Sequence, residues 1–440
     1  MVEMFMQFTD NLLTAMPIIV TSVTFLLIFT DFVIFQIVSC LSEFSNILLV
    51  TCFSKCYLCA LKQRQMVIAV NTQTLLKNKL EGLGSFTDEV LSRMVRNHPE
   101  HQFIFIFDRE WDPSFVYANN VLPVKTMLPS RHPLLWYARF EYAIPAIIKK
   151  HHADLFLSTD GYMPMHPDVK TYNIIHDIGF VHQPKNQPFL TSKYYNRFFP
   201  CFARNAHRLG TVSEYSKADI VKTWGINPDK IDVIYNGVKT VFGPLEEKDR
   251  QAVREKVTGG CQYFVYVGSL NPRKNIEGML RAFDVFKEKT GLPQKMVIVG
   301  ECMWSMSTID LELEHMRHAD DVIFMGRLQP ADLQQVVASA QALVLVSFIE
   351  GFGVPIVEAM NCDVPVVTSD RTSMPEVAGD AGLLVDPFSI DAIARAMESM
   401  ATDANLRARL IENAKTQRMK FSWEKSAVDL WNGITRVMSD

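Results

Sequence analysis

The 440-residue sequence predicts an α/β protein: two doubly wound parallel-sheet domains facing one another, behind a hydrophobic helical extension. Three observations carry that prediction. From Met66 onward short β-branched runs alternate with longer amphipathic runs, the pattern of parallel strands covered by helices on both faces. The series stops at a polar, charge-rich stretch and then restarts with a new first strand. The first 65 residues fit neither series: they hold no glycine, eight of the 29 phenylalanines and four of the eight cysteines.

The extension, residues 1–65, reads in two ways. Asn11 to Thr30 is a run of twenty residues without a charge, enough to cross a bilayer core as a helix. A second run, Phe32 to Ser54, is broken by Glu43. Glu3 and Asp10 precede these runs, whereas Lys55, Lys62 and Arg64 follow, which would leave the rest of the chain in the cytoplasm. An acidic n-region without an A-x-A site argues against a cleaved signal peptide. The other reading is upstream sequence translated from a misassigned start, because Met66 opens a complete first strand. The expected location is the cytoplasm, or the cytoplasmic face of the membrane if residues 11–54 are an anchor.

The first domain, residues 66–242, has strands at 67–70, 103–107, 154–158, 171–177, 209–213 and 230–236, with helical runs such as "PLLWYARFEYAIPAIIKKH" and "SKADIVKTWG" between them. Residues 243–260, "GPLEEKDRQAVREKVTGG", are charged and without strand character, and read as a linker. The second domain, 261–420, restarts at "CQYFVYVG" and continues with strands at 295–300, 321–326, 342–347, 364–369 and 382–386. Helices start near Asn275, Pro330 and Pro355; proline suits a first helical position, where its missing N–H has no partner to lose. The chain is helical from Ile390 onward, with 421–440 as a C-terminal helix.

Composition narrows the function classes. Apolar residues make up 48% and charged residues 21%, and the net charge is −4, so nucleic acid is not the expected partner. "CYLC" at Cys56 and Cys59 has no second half, so no zinc site is indicated. No strand is followed by G-x-G-x-x-G, which disfavours a dehydrogenase.

Two stretches of the second domain carry chemistry. "VGSLNPRKN" ends the first strand at Gly268 and Ser269 and places Arg273 and Lys274 before a helix. Cations there oppose the helix dipole and suit a diphosphate; a solvated basic pair is the plainer reading. "FIEGFGVPIVEAM" puts Glu350 after a strand, then Gly351, Phe352 and Gly353, and a helix from Val354 that contains Glu358. The glycines permit close approach of a ligand to the backbone, and both carboxylates can accept hydrogen bonds from sugar or ribose hydroxyls. Taken alone, Glu358 also reads as a helix-dipole partner.

"EGFGVPIVEAMNCDVPVVTSDRTSMPEVAGDAGLLVDP" resembles the nucleotide-sugar site of the family 4, GT-B-fold retaining glycosyltransferases, whose two domains are Rossmann-like. "YVGSLNPRKN", "TVSEYSKADI", "VIYNGV" and "IIHDIGF" resemble further segments of that family, over about Met66 to Trp431. The resemblance implies roles. Arg273 and Lys274 would neutralise the donor diphosphate. Glu350 would bind hydroxyls of the transferred sugar with the Gly351–Gly353 backbone beside it, and Glu358 would hold the ribose. Arg327 and Leu328 would meet the base. His176, next to Asp177, would reach the sugar from the first domain, where a strand-end histidine satisfied by its neighbours is the plainer reading. Gly82 and Gly84 would form a glycine loop near donor phosphate or acceptor. Gly268-Ser269 stands where many members have Gly-Arg, and "VGECMW" is less basic than in some relatives.

The implied reaction moves a hexose, with mannose from GDP-mannose as first guess, to a glycan or lipid-linked acceptor in surface polysaccharide synthesis, with retained configuration. No cofactor is expected, and the lack of a D-x-D triplet gives no indication of a metal. A GT-B phosphorylase or synthase acting on a soluble sugar, and a non-catalytic glycosyltransferase-like subunit, are the alternatives. A two-carboxylate glycosidase fits poorly, since a hydrolase needs no Arg-Lys diphosphate loop.

Overall fold

The structure, a computed structural model, describes residues 65–80, 82–128, 132–301 and 307–439. The membrane-anchor reading of residues 11–54 lies outside them. Among the described residues no helix is long and apolar enough to cross a membrane.

Two parallel sheets organise the body from Gln65 onward. The first has seven strands, β1 (Val67–Asn71), β2 (Gln102–Phe107), β3 (Val121–Lys125), β4 (Leu155–Ser158), β5 (Lys170–Ile174), β6 (Arg208–Thr211) and β7 (Ile231–Val233), in the order β3-β2-β1-β4-β5-β6-β7. The second has six, β8 (Tyr263–Val267), β9 (Lys295–Val299), β10 (Val322–Gly326), β11 (Ala342–Leu345), β12 (Val366–Ser369) and β13 (Gly382–Val385), in the order β10-β9-β8-β11-β12-β13. Every strand pair is parallel. Both sheets therefore reverse direction at one point, between β1 and β4 and between β8 and β11. In a doubly wound sheet that is where a ligand crevice opens, beyond the carboxyl ends of the strands.

The apolar runs explain the placement. Tyr263, Phe264, Val265 and Tyr266 of β8 and Ala342 to Leu345 of β11 are completely buried, as strands covered on both faces must be. Strand β3, "VLPVK", is one that sequence periodicity does not single out. It is an edge strand containing Pro123, which a central position would not tolerate.

The charged stretch 243–260 is more than a tether. Glu247–Thr258 is a helix that ends on Gly259 in the left-handed conformation, and buried Arg254 donates to the Ser339 carbonyl at 3.1 Å. The helix thus rests on the second domain. The helix Trp423–Ser439 crosses the other way. Its buried stripe, Trp423, Ala427, Leu430, Ile434 and Val437, recurs at helical spacing and lies on the first domain, with Gly433 against the Tyr172 ring. Arg436 to Asp232 at 3.0 Å and Arg93 to Glu424 at 2.8 Å fasten it there.

Candidate active site

The site assembles at the switch point of the second sheet. After β8 the chain turns at Gly268, whose φ of 150° lies at the edge of the range that favours glycine. A Cβ on Gly300, at the end of β9, would stand 1.9 Å from the Gly268 carbonyl, so only glycine lets the two strand ends pass this closely. Asn271 then caps a short 3-10 turn, Pro272–Lys274, accepting from the Arg273 amide at 3.1 Å. Asn275 takes a φ of 59° and ties this loop to the neighbouring strand ends by donating to the carbonyls of Val346 and Pro387, at 3.1 and 2.7 Å. Helix Ile276–Thr290 follows. The sequence placed Arg273 and Lys274 before this helix, and the turn aims them across at Glu350.

Glu350 is 5% exposed and receives Lys274 Nζ, Ser347 Oγ at 2.8 Å and Arg273 Nη1 at 3.4 Å. Arg273 Nη1 also donates to the Ile349 carbonyl at 3.1 Å. The expected division of labour, cations for phosphate and carboxylate for sugar, thus begins from an ion-paired triad. Burial works against the charge on Glu350, but Lys274 and Arg273 outweigh it and hold its pKa below the ordinary carboxylate value. Burial lowers the Lys274 ammonium against the opposing pull of Glu350. For Arg273 burial is overcome by Glu350 and Asp177, and its pKa is raised. Two cations and one carboxylate leave the triad one positive charge in excess. An ammonium has three donors and a carboxylate about four acceptor positions, so neither Lys274 nor Glu350 is saturated by these contacts.

The backbone around Glu350 is pinned by residues that the sequence reading did not single out. Its amide donates to Thr372 Oγ1 at 3.2 Å, and Ser373 Oγ donates to its carbonyl at 2.9 Å. A Ser-Thr-rich turn between β12 and the next helix is a generic signal, and only the fold shows what it holds. Gly353, at φ 94°, leads into helix Val354–Asn361. Among the described residues, no carbonyl or side chain receives the amides of Gly351, Phe352, Gly353 or Val354. The Phe352 side chain is spent on packing: it is 3% exposed and lies against Tyr235 and Phe421, with ring centroids 6.1 and 5.4 Å away. Only its backbone is available to a donor.

Glu358 sits in the second turn of that helix, with no acidic residue in the first, which removes the first-turn dipole role. Burial pushes its carboxyl up to about 7, with Lys239 pulling the other way. Its carboxylate receives no hydrogen bond from the described residues, unlike that of Glu350.

From the first domain, His176 and Asp177 follow β5. His176 Nε2 donates to the Thr159 carbonyl at 2.9 Å, and the ring meets Phe86 edge-on with centroids 4.8 Å apart. A carbonyl only accepts, so Nε2 carries the proton and Nδ1 the lone pair; burial lowers the pKa and favours this neutral form. Asp177 Oδ1 accepts from the Gly179 amide at 2.9 Å. Gly351 packs directly on this segment: a Cβ there would lie 2.8 Å from Asp177 Oδ2 and 3.2 Å from the His176 carbonyl. The structure thus brings the His-Asp segment and the Glu-Gly segment together across the cleft.

The remaining expected residues divide. Gly82 and Gly84 are not in a loop; they open helix Gly82–Asn97, where the helical pattern extends further toward the amino end than the glycines suggest. Gly84 still needs its missing side chain, since a Cβ would meet the Thr74 carbonyl at 2.7 Å, whereas Gly82 faces open space. Arg327 reaches across the cleft to the Leu80 carbonyl at 3.5 Å. Leu328 is partly buried and packs against the larger hydrophobic cluster, which draws residues from both domains. In "VGECMW" Gly300 and Glu301 are described, and residues 302–304 lie outside the described residues. Among the described residues no group of three or more His, Cys, Asp or Glu is placed to hold a metal ion.

Two parallel sheets that share the strand order 3-2-1-4-5-6, the first with a seventh strand beyond it, a basic turn paired with a buried glutamate at the second sheet's switch point, and the His176–Asp177 segment packed on Gly351 make up the architecture of a GT-B glycosyltransferase. Residues 81–242 match the model of glycosyltransferase family 4, and residues 247–417 that of the glycosyl transferases group 1. The chain is 30% identical over 272 residues to O-antigen chain mannosyltransferase B of Escherichia coli, covering 62% of this chain and 71% of that one. It is also 30% identical over 262 residues to O-antigen chain mannosyltransferase RfbU of Salmonella typhimurium, covering 58% and 67%. A glycosyltransferase from Rickettsia africae shares the fold, with a TM-score of 0.66 at 16% identity over 86% of this chain and 100% of that one. So does HepE from Anabaena, solved with UDP and glucose, with a TM-score of 0.65 at 15% identity over 84% and 100%. The chain belongs to the family 4 glycosyltransferases of GT-B fold and is a transferase.

Proposed function

We propose that this enzyme transfers a hexose, mannose first among candidates, from a nucleotide diphosphate sugar to a hydroxyl of a glycan or lipid-linked glycan in surface polysaccharide synthesis, with retention at the anomeric carbon. The observation that carries the site assignment is the Arg273–Lys274–Glu350 triad, one charge positive, next to four backbone amides that no described residue receives, with the His176–Asp177 segment packed on Gly351. The O-antigen mannosyltransferases among its relatives support the sugar and the pathway class.

The chemistry follows from the charges. The donor diphosphate brings negative charge to Arg273 and Lys274 and competes with Glu350 for them, which turns carboxylate acceptor positions toward the hydroxyls of the sugar. As the glycosidic bond breaks, charge grows on the leaving phosphate, and the same cations, with the amides of residues 351–354, stabilise it. His176 Nδ1 accepts from a sugar hydroxyl and fixes the ring over the departing group. Glu358, rising toward ionisation when ribose hydroxyls reach it, holds the nucleotide. Arg327, in the loop after β10, meets the base in this reading. Retention follows if the acceptor attacks from the face the phosphate leaves, with the phosphate oxygen taking its proton.

A thermal-shift panel of GDP-, UDP-, dTDP- and ADP-sugars tests the reading, because a ligand bound to the folded state raises its stability by mass action. GDP-mannose is expected to give the largest shift, and a mannosylated product with an unchanged anomeric configuration should follow on addition of a glycan acceptor. A panel without any stabilising nucleotide sugar would defeat the site; a larger shift with another nucleotide would replace the donor alone.

A further inference from the structure

Two segments of the sequence, "TVSEYSKADI" and "MPEVAGDAG", take no part in the proposed chemistry, yet they meet. Ser213, fully buried at the start of helix Glu214–Trp224 in the first domain, accepts from the Ser216 amide at 3.0 Å and donates to the Gly351 carbonyl at 2.7 Å. Ser216 Oγ lies 3.3 Å from the same carbonyl. Glu376, in the second domain, receives the other amides of that helix start: Glu214 N at 2.9 Å and Tyr215 N at 3.1 Å, with Tyr235 Oη at 2.8 Å. A carboxylate from one domain thus caps a helix of the other, and hydroxyls beside that cap hold the carbonyl of the first glycine in the donor loop. Gln417 fixes the Glu376 backbone in turn, donating to its carbonyl at 3.0 Å.

The peptide between Gly351 and Phe352 is trans, so anchoring its C=O on Ser213 sets its N–H to the opposite side, where none of the described residues receives it. The orientation of a donor-facing amide is therefore decided by the other domain. When the domains part, Gly351 loses Ser213, Ser216 and the wall formed by Asp177 together, and the loop that carries Glu350 loses its outer support.

We infer that Ser213, Ser216 and Glu376 are positioning residues that give the donor loop its binding geometry only while the two domains are closed. This rests on the reading of residues 350–354 as the donor loop. Its energetic consequence is specific. A ligand that binds only the closed form has an apparent dissociation constant divided by the closed fraction, so weakening the latch raises the donor KM, while saturating donor restores the closed form and kcat.

The experiment compares wild type, Ser213→Ala, Ser213→Thr, Ser216→Ala and Glu376→Gln. It uses steady-state kinetics in GDP-mannose, thermal unfolding without donor, and small-angle scattering without donor. Glu376→Gln and Ser213→Ala are expected to raise the donor KM about tenfold, as a tenfold fall in closed fraction requires, with kcat within about threefold and a larger radius of gyration. Ser213→Thr, which keeps the hydroxyl, should restore the KM, and Ser216→Ala should show a smaller rise. The inference falls if the variants lose thermal stability while KM and radius stay at wild-type values, or if kcat falls with KM unchanged. Wild type that binds no nucleotide sugar would remove the donor-loop reading itself, and that result is visible before any variant is made.

Discussion

Glu350 and Glu358 lie eight residues apart, one in the loop after β11 and the other in the helix that follows, and their surroundings are opposite. Glu350 is gripped by Lys274, Arg273 and Ser347, with its backbone tied to Thr372 and Ser373. Glu358 is half-buried, with no hydrogen-bond donor among the described residues, and its carboxyl is pushed up to about 7 by desolvation. Burial disfavours charge at both; what differs is whether a cation stands in contact. The first carboxylate is held ionised by its two cations and stands as a fixed charge beside the basic turn. The second carries a carboxyl raised to about 7, so if ribose hydroxyls reach it as proposed, binding and proton release are coupled there and not at Glu350.

The largest effects should come from the fixed-charge region. Glu350→Ala is expected to lower turnover by about 10²-fold or more, since groups acting on developing charge contribute on that scale. It should also cost about 3 kcal/mol of stability, because it leaves two cations without their counter-charge. Lys274→Ala should match the loss of turnover, and kcat measurements with chemical unfolding check both. In the first domain, His176→Ala should lower kcat by about 10² and cost about 1–2 kcal/mol of stability, because it removes a hydrogen bond to the Thr159 carbonyl and an edge-on contact with Phe86. Turnover at wild-type level in all three would dissolve the contrast.

At Glu358 the expected signature is a pH dependence. Its folded pKa of about 7 stands above the ordinary 4.5, so between those values the native state holds a proton that the unfolded state has lost. Its contribution to stability is therefore complete below about 4.5 and declines as pH rises to about 7. If ribose hydroxyls bind the ionised form, donor affinity in wild type rises from about pH 6 to pH 8, up to about tenfold, and Glu358→Gln flattens that rise. Calorimetry in buffers of different ionisation heat would show the proton released. The smallest change is expected from Ser269→Arg, which adds a third cation to the loop that carries Arg273 and Lys274. A partly exposed charge there should lower the donor KM about threefold, in keeping with under 1 kcal/mol for such contacts.

Much of this was legible in residue order. The two strand series, the turn holding Arg273 and Lys274, and the Glu350–Gly353 loop are local patterns, written in apolar runs, glycines and prolines close in sequence. Edge strand β3 was not, because Pro123 and Lys125 make it resemble a loop and only pairing with β2 makes it a strand. The helix Glu247–Thr258 was hidden by its charges, since a helix resting on a domain by a single buried arginine shows little amphipathic pattern. Partnership was the least legible property. Nothing near Glu350 in sequence announces Thr372 or Ser373, nothing near Gly351 announces Ser213, and the pairing of Lys274 with Glu350 spans 76 positions.

The helix Trp423–Ser439 covers the first domain although nearly two hundred residues separate it from β7. Until that segment has been synthesised, Tyr172 and the groove beside Gly433 face water, and the amino-terminal half waits in an unfinished state on the ribosome. Fragments cut after residue 242 should accordingly collect in inclusion bodies, and adding the missing helix as a separate peptide is the natural way to rescue them.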